Sequence, residues 1–400
     1  MGFRYRCTEC GREFPLEVGR YLCPVCQQKQ EAGRPLRGVL QVVPPQAALQ
    51  RFRESHDPLD LLPVPRIHWP PVPVGQTPLW HPDRLRQYLD FPRLYLKDDT
   101  RNPTASLKDR ASALVAAFAR QHGLKEITVA STGNAGSSMA GIGAAAGLRV
   151  TLLIPASAPP AKLVQALQYG ARVVPVRGTY DDAYDLSLAY SQRTGSLSRN
   201  TAYNPLTIEG KKTVALELGL QMPEPPRHLF VPTGDGVILA GVYRGLEDLL
   251  EAGLLAEMPR VYAVQAEGSQ ALARALRQGG FAEPEPARTV ADSIAVAVPR
   301  NGYYALRLLQ RYHGEAVVVS DEEILQAQHL LASRAGLFAE PAAAAALAGF
   351  LRVHDQIPRN EAVVLLITGH GLKDIAAARQ GVPPLPPAIQ SPEDLFRGEG

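Results

Sequence analysis

The sequence predicts an α/β fold in which open, mostly parallel sheets carry helices on both faces. Eight short runs rich in β-branched residues recur beyond residue 90, at 93–97, 126–130, 149–155, 172–176, 228–232, 260–266, 316–320 and 362–368. Helical stretches separate most of these runs, for example at 106–122, 207–221, 238–253 and 321–335. Strands that alternate with helices of this length are typical of a parallel sheet with crossover helices.

Composition and charge argue against several kinds of partner. The 400 residues carry 42 basic and 39 acidic side chains, and a net charge of +3 gives no electrostatic basis for binding nucleic acid or a membrane surface. No apolar run reaches the length of a transmembrane helix, and the first residues lack the apolar region of a signal peptide. We therefore expect a cytoplasmic protein with neither a nucleic-acid nor a membrane partner.

All four cysteines fall in the first 26 residues, as two C-x-x-C pairs. Cys7 and Cys10 form one pair, Cys23 and Cys26 form the other, and twelve residues separate the pairs. Each C-x-x-C pair can place two thiolates on one tight turn, and two such turns supply the four thiolates of a tetrahedral zinc site. Two disulfides are disfavoured in a cytosolic chain, and a redox motif would need only one pair. We predict a zinc ribbon over residues 1–32, with a structural Zn²⁺ because four thiolates leave no open coordination position.

Residues 33–75 are rich in proline, as in VPRIHWPPVPVGQTP. Because proline lacks an N–H and fixes φ, we expect neither a long helix nor a central strand in this segment. The sequence therefore predicts a proline-rich linker at 33–75. A catalytic domain is predicted over residues 76–390, with a smaller subdomain at roughly 111–205.

Four segments that follow predicted strands are candidates for a functional site. One holds Lys108, in NPTASLKDRAS, and lysine is scarce here, with eight lysines against 34 arginines. Lysine can lose its proton and bond covalently to an aldehyde, whereas arginine cannot. The other segments are STGNAG (131–136), TGDGVILAG (233–241) and TGHGLKD (368–374). Since ligands of open parallel sheets bind outside the carboxyl ends of the strands, we predict one site at this edge.

The glycine-rich loop at 233–241 leads into a helix, which suits a bound phosphate. It is not a nucleotide P-loop, because no Gly-Lys-Ser/Thr follows. The segment GIGAAAG (141–147) resembles a dinucleotide motif, but it begins about three helical turns beyond the strand end at Ala130. No acidic residue ends the next strand, so we interpret these small residues as close helix packing. A phosphate cradle, a scarce lysine and two polar loops favour a phosphorylated aldehyde cofactor.

These residues resemble the pyridoxal 5'-phosphate (PLP) enzymes of the tryptophan synthase β-subunit fold type, fold type II, and among them the threonine synthases. The resemblance covers roughly residues 75–380 and rests on NPTASLKDR, STGNAG, AKLVQALQYGARVV, NPLTIEGKKT, EPAAAAALAG and TGHGLKD. It implies a PLP enzyme in two subdomains, a small amino-acid substrate and a homodimer. An N-terminal zinc ribbon is also seen in longer members of the family.

The resemblance also implies a role for each matching residue. Lys108 would bind the cofactor aldehyde and later shuttle protons on the substrate, and Asn134 would bind the ring's phenolic oxygen. Thr368 would face the pyridine nitrogen, where a hydroxyl leaves that nitrogen largely unprotonated and suits elimination and replacement chemistry. The cofactor phosphate would contact Gly234, Asp235, Gly236, Val237 and Ile238. The substrate would contact Ser131, Thr132, Lys162 and Asn204.

Simpler structural roles are also open to several of these residues. Asn134 and Thr368 could be helix caps, a position that both residue types favour. Asp109 and Arg110 could form a structural ion pair, and Glu340 could be a first-turn acid favoured by the helix dipole.

Some positions depart from the family pattern. Ala105 and Leu107 replace the glycine and phenylalanine of Pro-Thr-Gly-Ser-Phe-Lys, and the phosphate loop reads GDGVI instead of Gly-Asn-Ala-Gly-Asn. An asparagine, a serine and an arginine of the expected substrate-phosphate site are replaced by Thr201, Ala202 and Thr207.

The predicted function is a threonine synthase-like lyase that converts O-phosphohomoserine and water to threonine and phosphate. Because part of the expected phosphate site is replaced, one alternative is another PLP-dependent β-elimination or β-replacement enzyme, such as a threonine or serine dehydratase. A second alternative is a catalytically degenerate zinc-ribbon regulatory protein.

Overall fold

The computed structural model of the chain describes residues 2–385, 388 and 390, so residues 386, 387 and 389 of the predicted catalytic domain lie outside the described part. The strands described are β1 (Arg4–Cys7), β2 (Glu13–Pro15), β3 (Leu40–Val43), β4 (Leu79–Trp80), β5 (Leu94–Asp98), β6 (Glu126–Ala130), β7 (Arg149–Pro155), β8 (Arg172–Val176), β9 (Leu197–Ser198), β10 (His228–Pro232), β11 (Arg260–Ala266), β12 (Glu315–Val319) and β13 (Val363–Ile367).

The α-helices described are α1 (Gln46–Ser55), α2 (Asp83–Leu89), α3 (Lys108–Gln121), α4 (Asn134–Ala145), α5 (Pro160–Gln168), α6 (Tyr180–Thr194), α7 (Leu206–Lys211), α8 (Thr213–Gln221), α9 (Val237–Glu251), α10 (Ala271–Gln278), α11 (Gly302–Arg311), α12 (Asp321–Ala335), α13 (Pro341–Val353) and α14 (Ile375–Ala378). Within the described residues, no helix has both the length and the apolar character that a membrane span requires.

Two sheets form the catalytic body, and the predicted fold class is confirmed. The larger sheet has the order β12-β11-β10-β13-β5-β4, and only the edge strand β4 runs antiparallel to its neighbour. The smaller sheet has the order β8-β7-β6-β9 and is parallel throughout. Along β10, Leu229 and Val231 pack in one hydrophobic cluster with α8 and α9, while Phe230 packs in another with α13. The larger sheet therefore carries helices on both faces.

The predicted strands of the catalytic body lie within one residue of their observed bounds. The helix predicted at 207–221 differs, because the chain forms α7 and α8 with Lys212 between them. The Lys212 amine is buried and forms ion pairs with Glu209 and Asp248. This pairing holds the junction of the two short helices inside the protein.

The N-terminal region extends beyond the predicted ribbon. Strand β3 pairs with β1, and the antiparallel sheet has the order β2-β1-β3, so the ribbon fold continues to Val43. The region predicted as an extended linker also contains the ten-residue helix α1. Residues 46–55 contain no proline, and Ala48, Leu49 and Phe52 share one buried face of the helix. The expectation that the prolines exclude a long helix was therefore wrong here, because the prolines flank this stretch.

The small residues of GIGAAAG lie in α4, where backbone and side chains approach closely. A Cβ atom at Gly141 would lie 2.7 Å from Cγ2 of Thr104 and 3.0 Å from the ring of Tyr169. A Cβ atom at Gly143 would overlap a methyl group of Val150. These contacts agree with the interpretation of this segment as close helix packing.

A buried ion cluster joins β5, α3 and α8. The Arg110 guanidinium donates from Nε to Asp99 at 2.6 Å and from Nη1 to Glu217 at 2.5 Å. The Lys97 amine also donates to Glu217, at 2.6 Å. Asp109, by contrast, accepts from the N–H and hydroxyl of Thr104. Arg110 is therefore structural, but its partners are not the adjacent Asp109 expected from the sequence.

The charges in this cluster depend on one another. Burial alone would raise the pKa of Glu217, but Arg110 and Lys97 more than offset that effect and lower the pKa to about 2. A carboxyl group whose pKa is depressed in the folded state stabilises the fold above its unfolded pKa. That contribution is lost as the pH falls from the unfolded value of about 4.3 towards 2.

Replacing Arg110 by methionine is expected to destabilise the fold by about 3–5 kcal/mol, because Asp99 and Glu217 would lose their buried counter-charge. The free energy of unfolding from a urea titration measures this loss. Arg93→Met is the matched control, since the Arg93–Glu224 pair is half exposed and is expected to contribute about 1 kcal/mol or less. Equal losses in the two variants would contradict the account.

Candidate functional site

Lys108 is the first residue of α3, and its position is fixed by contacts between neighbouring strands. Strands β5 and β13 are adjacent in the larger sheet, so the loops that follow them meet. The N–H of Leu107 donates to the carbonyl of Thr368 at 2.8 Å, and the N–H of His370 donates to the carbonyl of Ala105 at 3.1 Å. The two predicted motifs around Lys108 and Thr368 therefore lie side by side.

Lys108 is partly buried and lines a cavity of about 430 Å³. Burial lowers its pKa, the nearby Arg199 lowers it further, and Asp235 and Glu340 partly offset the effect. A lysine with a depressed pKa has a larger fraction of free amine, which is the form that attacks an aldehyde carbon. The environment of Lys108 therefore suits a nucleophilic amine.

The cavity lies between the carboxyl ends of the two sheets. The smaller sheet contributes the loop after β6 together with Tyr180 and Tyr184 of α6, and the larger sheet contributes the loop after β10. Residues 292–298 close another side. A second cavity of about 470 Å³ adjoins it and shares Thr132, Gly133, Asn134, Asp292 and Ser293. The predicted edge thus holds a continuous cleft with Lys108 on its wall.

Ser131 and Thr132 lie in the loop that leads into α4. The N–H of Gly133 donates to the Ser131 hydroxyl at 3.2 Å, and a Cβ atom at Gly136 would come within 2.5 Å of the Ser131 carbonyl oxygen. The loop is therefore tightly folded, and the first-turn N–H groups of α4 lie at its end. Free N–H groups at a helix start favour an anion such as a carboxylate.

Asn134 faces Glu340 across the cavity wall. Its side-chain amide donates to both carboxylate oxygens of Glu340 at 2.9 Å and to the Ser293 hydroxyl at 3.2 Å. Burial raises the pKa of Glu340, while the Asn134 amide and Lys108 partly offset that effect. Glu340 is therefore more than a first-turn acid, because its buried carboxylate accepts from Asn134 and acts electrostatically on Lys108, two of the residues predicted to contact the cofactor.

The loop after β10 forms a compact turn at the start of α9. Gly236 has a φ of 83°, a left-handed conformation that glycine adopts without strain, and a Cβ atom there would lie 2.7 Å from that of Ala305. The Asp235 carboxylate accepts the N–H of Val237 at 2.9 Å. Asp235 therefore points into the turn and caps the helix. Val237 and Ile238 form the first turn, where N–H groups have no intrahelical acceptor.

The predicted substrate residues are distributed unevenly around the cleft. Lys162 lines the second cavity and forms a 2.8 Å ion pair with Asp292. Asn204 lines neither cavity; its side chain donates to the Ser198 carbonyl at 2.7 Å and accepts the N–H of Leu206 at 2.9 Å. The structure brings Lys162 to the cleft and gives Asn204 a role in the turn before α7.

Comparisons with known proteins agree with this geometry. The sequence pattern of the family described as pyridoxal-phosphate dependent enzyme matches residues 72–369. The chain belongs to this family. It is 34% identical over 388 residues to a threonine synthase of Methanosarcina acetivorans, covering 93% of this chain and 92% of that one. A threonine synthase of Methanocaldococcus jannaschii is 34% identical over 76% of each chain. The protein is a PLP-dependent lyase similar to threonine synthases.

Solved structures of PLP enzymes have the same fold. A maize serine racemase superposes with a TM-score of 0.67 at 20% identity and covers 82% of this chain and 92% of its own. The processed form of threonine deaminase isoform 2 from Solanum lycopersicum superposes with a TM-score of 0.68 at 20% identity, covering 90% of this chain and 98% of its own. These structures confirm the fold-type II architecture.

The residues of the cleft fit PLP. Lys108 offers an amine of lowered pKa to the aldehyde. The turn at 234–238 offers N–H groups at a helix start to the phosphate, with that of Val237 already held by the Asp235 carboxylate. Asn134, whose amide donates to Glu340 and Ser293, would have to release one of these partners to reach the ring's phenolic oxygen. Thr368 lies directly after β13, beside the Lys108 segment, but it lines neither cavity. When bound, PLP supplies an electron sink for the α-carbon of an amino acid. These assignments stay predictions for the individual residues.

The four cysteines also fit their predicted ligand. Their sulfur atoms all lie within 4.8 Å of one another, and the Cys7–Cys26 and Cys10–Cys23 sulfur distances are both 3.8 Å. A tetrahedron with zinc–sulfur bonds of about 2.3 Å has edges of about 3.8 Å, whereas a disulfide needs about 2.05 Å. The geometry therefore favours a zinc site over two disulfides.

Sequence reasoning missed two charged residues of the cleft. Glu340 was given only a helix-dipole role, and Lys373 was given none. The Lys373 amine donates to the backbone carbonyl of Thr104 at 3.0 Å, the Ser137 hydroxyl at 2.9 Å and the side-chain amide oxygen of Gln165 at 2.5 Å. Glu340 lies in EPAAAAALAG and Lys373 lies in TGHGLKD, two motifs that carry the family resemblance. Their place in these motifs was the one sequence feature that could have indicated a role in the cleft.

Replacing Ala105 by glycine is expected to stabilise the protein by about 0.5–1 kcal/mol, because Ala105 has a φ of 64°, which is strained for a residue with a Cβ atom. Thermal and urea unfolding of the two proteins measure the difference. The matched control is Ala116→Gly in the middle of α3, which is expected to destabilise by about 1 kcal/mol or more. A destabilised Ala105→Gly variant would contradict the inference that the backbone at Ala105 is strained.

Metal analysis of the purified protein is expected to find about one zinc per chain. Cys10→Ser should abolish stoichiometric zinc, while Gln27→Ser, an exposed neighbour of Cys26, should retain it. Chelation should remove amide hydrogen-exchange protection from β1, β2 and β3 and leave it in β10 and β13. Full zinc content in Cys10→Ser would show that the four cysteines are not the ligands.

Proposed function

We propose that this lyase converts O-phosphohomoserine and water to threonine and phosphate, with PLP held by Lys108. The observation that carries the proposal is the convergence on one cavity of Lys108, the anion-binding loop at 131–134 and the phosphate turn at 234–238. Support for this substrate comes from the similarity to threonine synthases, which covers 93% of the chain in one relative.

Each part of the cleft has a function in this reaction. The loop of Ser131 and Thr132, at the N-terminus of α4, would bind the substrate carboxylate and thereby orient the α-carbon towards Lys108. The Lys108 amine, with its lowered pKa, would take a proton from the α-carbon and return protons at the α- and β-carbons. Tyr180 and Tyr184 line the smaller-sheet side and would exclude bulk water from the reacting atoms.

A dehydratase of threonine or serine is the second candidate, and one observation favours it. At the place where a substrate-phosphate arginine was expected, the Thr207 hydroxyl donates to the Asn204 carbonyl at 2.7 Å and accepts the N–H of Ala202 at 3.3 Å. Thr207 therefore contributes no cation to the cleft. A smaller substrate without a phosphate would need none.

Three further proposals accompany the reaction. A structural Zn²⁺ held by the N-terminal cysteines is supported by the sulfur–sulfur distances. A cytoplasmic location is supported by cysteines that lie at thiol rather than disulfide distances, as a reducing compartment favours. A homodimer is supported by the resemblance to the family.

Incubation of the holoenzyme with O-phosphohomoserine is expected to release threonine and inorganic phosphate in equal amounts. Lys108→Ala should reduce this turnover by about 10²–10⁴-fold, because it removes the base, while the exposed Lys125→Ala should leave it unchanged. Amino-acid analysis and a phosphate assay measure the two products. Keto acid formed from threonine or serine, with no phosphate released from O-phosphohomoserine, would replace the proposal by the dehydratase.

A further inference from the structure

Three cations that border the cleft already have partners. Lys162 is paired with Asp292 at 2.8 Å, and Arg300 is paired with Asp181 and stacks on the ring of Tyr184. The Lys373 amine donates to three oxygen acceptors. An incoming anion would have to displace one of these partners before it could use the cation.

Two deeper cations have nitrogen atoms without a partner. The Arg199 guanidinium donates from Nη1 to the Thr201 hydroxyl at 2.7 Å and from Nε to the Ser112 hydroxyl at 3.3 Å, but its buried Nη2 atom has no acceptor. The Nζ atom of Lys211 is buried and has no acceptor either. Both side chains are fully buried. A buried polar nitrogen without an acceptor costs about 1–3 kcal/mol, and more if it is charged.

Neither cation lines the cavity, but each lies on a segment that contacts its wall. Arg199 contacts Thr201, which lines the cavity. Lys211 lies on α7 where that helix packs against the starts of α3 and α9. The added Cβ atom of Gly210 would meet the backbone of Arg110 and Ala111, and that of Gly241 would lie 2.8 Å from the Lys211 Cβ. Lys108 begins α3 and the phosphate turn lies at the start of α9, so Lys211 lies on a helix that packs against both of these helices.

Several charged groups act on these two side chains. Burial is the largest cause that lowers the pKa of Arg199, to about 10, and it holds the pKa of Lys211 well below its usual value. Lys108 and Arg199 lower the pKa of Lys211 further, and Asp235 is the one acid that acts on all three cations. Glu340 also acts on Lys108, and Asp109 also acts on Arg199, so three carboxylates act on the three basic groups. What a phosphate would supply is an oxygen acceptor for the unpartnered Arg199 Nη2 and Lys211 Nζ atoms.

We propose that Arg199 and Lys211 form a binding subsite for a phosphate monoester, with Thr201 and Asp235 between them and the cavity. In the substrate arm of this proposal, which rests on the proposed function, they hold the phosphate of O-phosphohomoserine and replace the arginine that Thr207 does not supply. In the cofactor arm they reinforce the turn at 234–238 against the phosphate of PLP. In both cases the bound group is the same, a doubly charged phosphate that contacts a guanidinium and an amine.

The test compares Lys211→Met, Arg199→Met and Arg199→Lys with the wild type, and exposed Arg177→Met is the control. Three quantities are measured for each protein: the affinity of the apoenzyme for PLP, the KM of the holoenzyme for O-phosphohomoserine, and the rise in melting temperature of the holoenzyme with inorganic phosphate. Loss of a buried cationic partner should weaken phosphate binding by about 30-fold or more in the methionine variants, seen either as a weaker PLP affinity or as a higher KM. Arg199→Lys keeps the charge and should recover part of this lost binding.

The pattern of results identifies the source of the phosphate. A raised KM and a smaller thermal response to phosphate, with normal PLP affinity, support the substrate arm. Weaker PLP affinity alone supports the cofactor arm. Apo Lys211→Met should also melt at a higher temperature than the wild-type apoprotein, because the substitution removes a buried amine without an acceptor. Unchanged values of all three quantities in both methionine variants would overturn the proposal.

If the wild type does not turn over O-phosphohomoserine, the proposed function fails while the subsite remains testable. The affinity for PLP and the thermal response to inorganic phosphate do not depend on that reaction. A normal phosphate response in Lys211→Met and Arg199→Met, together with normal PLP affinity, would then overturn the subsite independently.

Discussion

The buried guanidinium of Arg110 is the interaction on which the geometry of the cleft depends. It joins Asp99, which follows β5, to Glu217 of α8, and so it fixes the first turn of α3. Lys108 begins that turn, two residues before Arg110. Charges in a region without water are held in fixed geometry because every alternative arrangement leaves one of them unpaired. The position of the reactive amine is therefore set by an ion cluster whose members line neither cavity.

The N-terminal ribbon contacts both halves of the catalytic body. The Tyr21 hydroxyl accepts the N–H of Ser198 at 2.9 Å on the smaller-sheet side, and the N–H of Leu36 donates to the Arg300 carbonyl at 2.9 Å on the larger-sheet side. Arg307 of α11 also donates to the Thr8 hydroxyl at 2.9 Å. Arg300 lines the cavity, so the ribbon reaches the rim of the cleft. A zinc-folded ribbon would thereby help to hold the two sheets at a fixed distance.

Much of the fold could be predicted from sequence because parallel strands are buried on both faces. Such strands appear as continuous apolar runs, and β13, with every residue buried, is an example. Their carboxyl ends mark the site, so Lys108, Asn134 and the turn at 234–238 could be placed at one edge from the sequence alone. The helix α1 was missed because its apolar face is short and lies among prolines.

The partners of the charged side chains could not be predicted in the same way. Arg110 binds Asp99 and Glu217 rather than Asp109, and Glu340 binds Asn134, which precedes it by 206 residues. Contacts over such distances depend on tertiary packing and leave no local pattern in the sequence. The same holds for Arg199 and Lys211, since the lack of an acceptor becomes visible only when all neighbours are in place.

The central claim is that Lys108 is the lysine that bonds to PLP, and it can be tested directly. The holoenzyme is reduced with borohydride, digested with a protease and examined by mass spectrometry for the peptide that carries the pyridoxyl mass. The account predicts one modified peptide, with the modification on Lys108, the lysine that lines the cavity with a lowered pKa. Modification of another lysine, such as Lys211 or Lys373, with Lys108 unmodified, would contradict it.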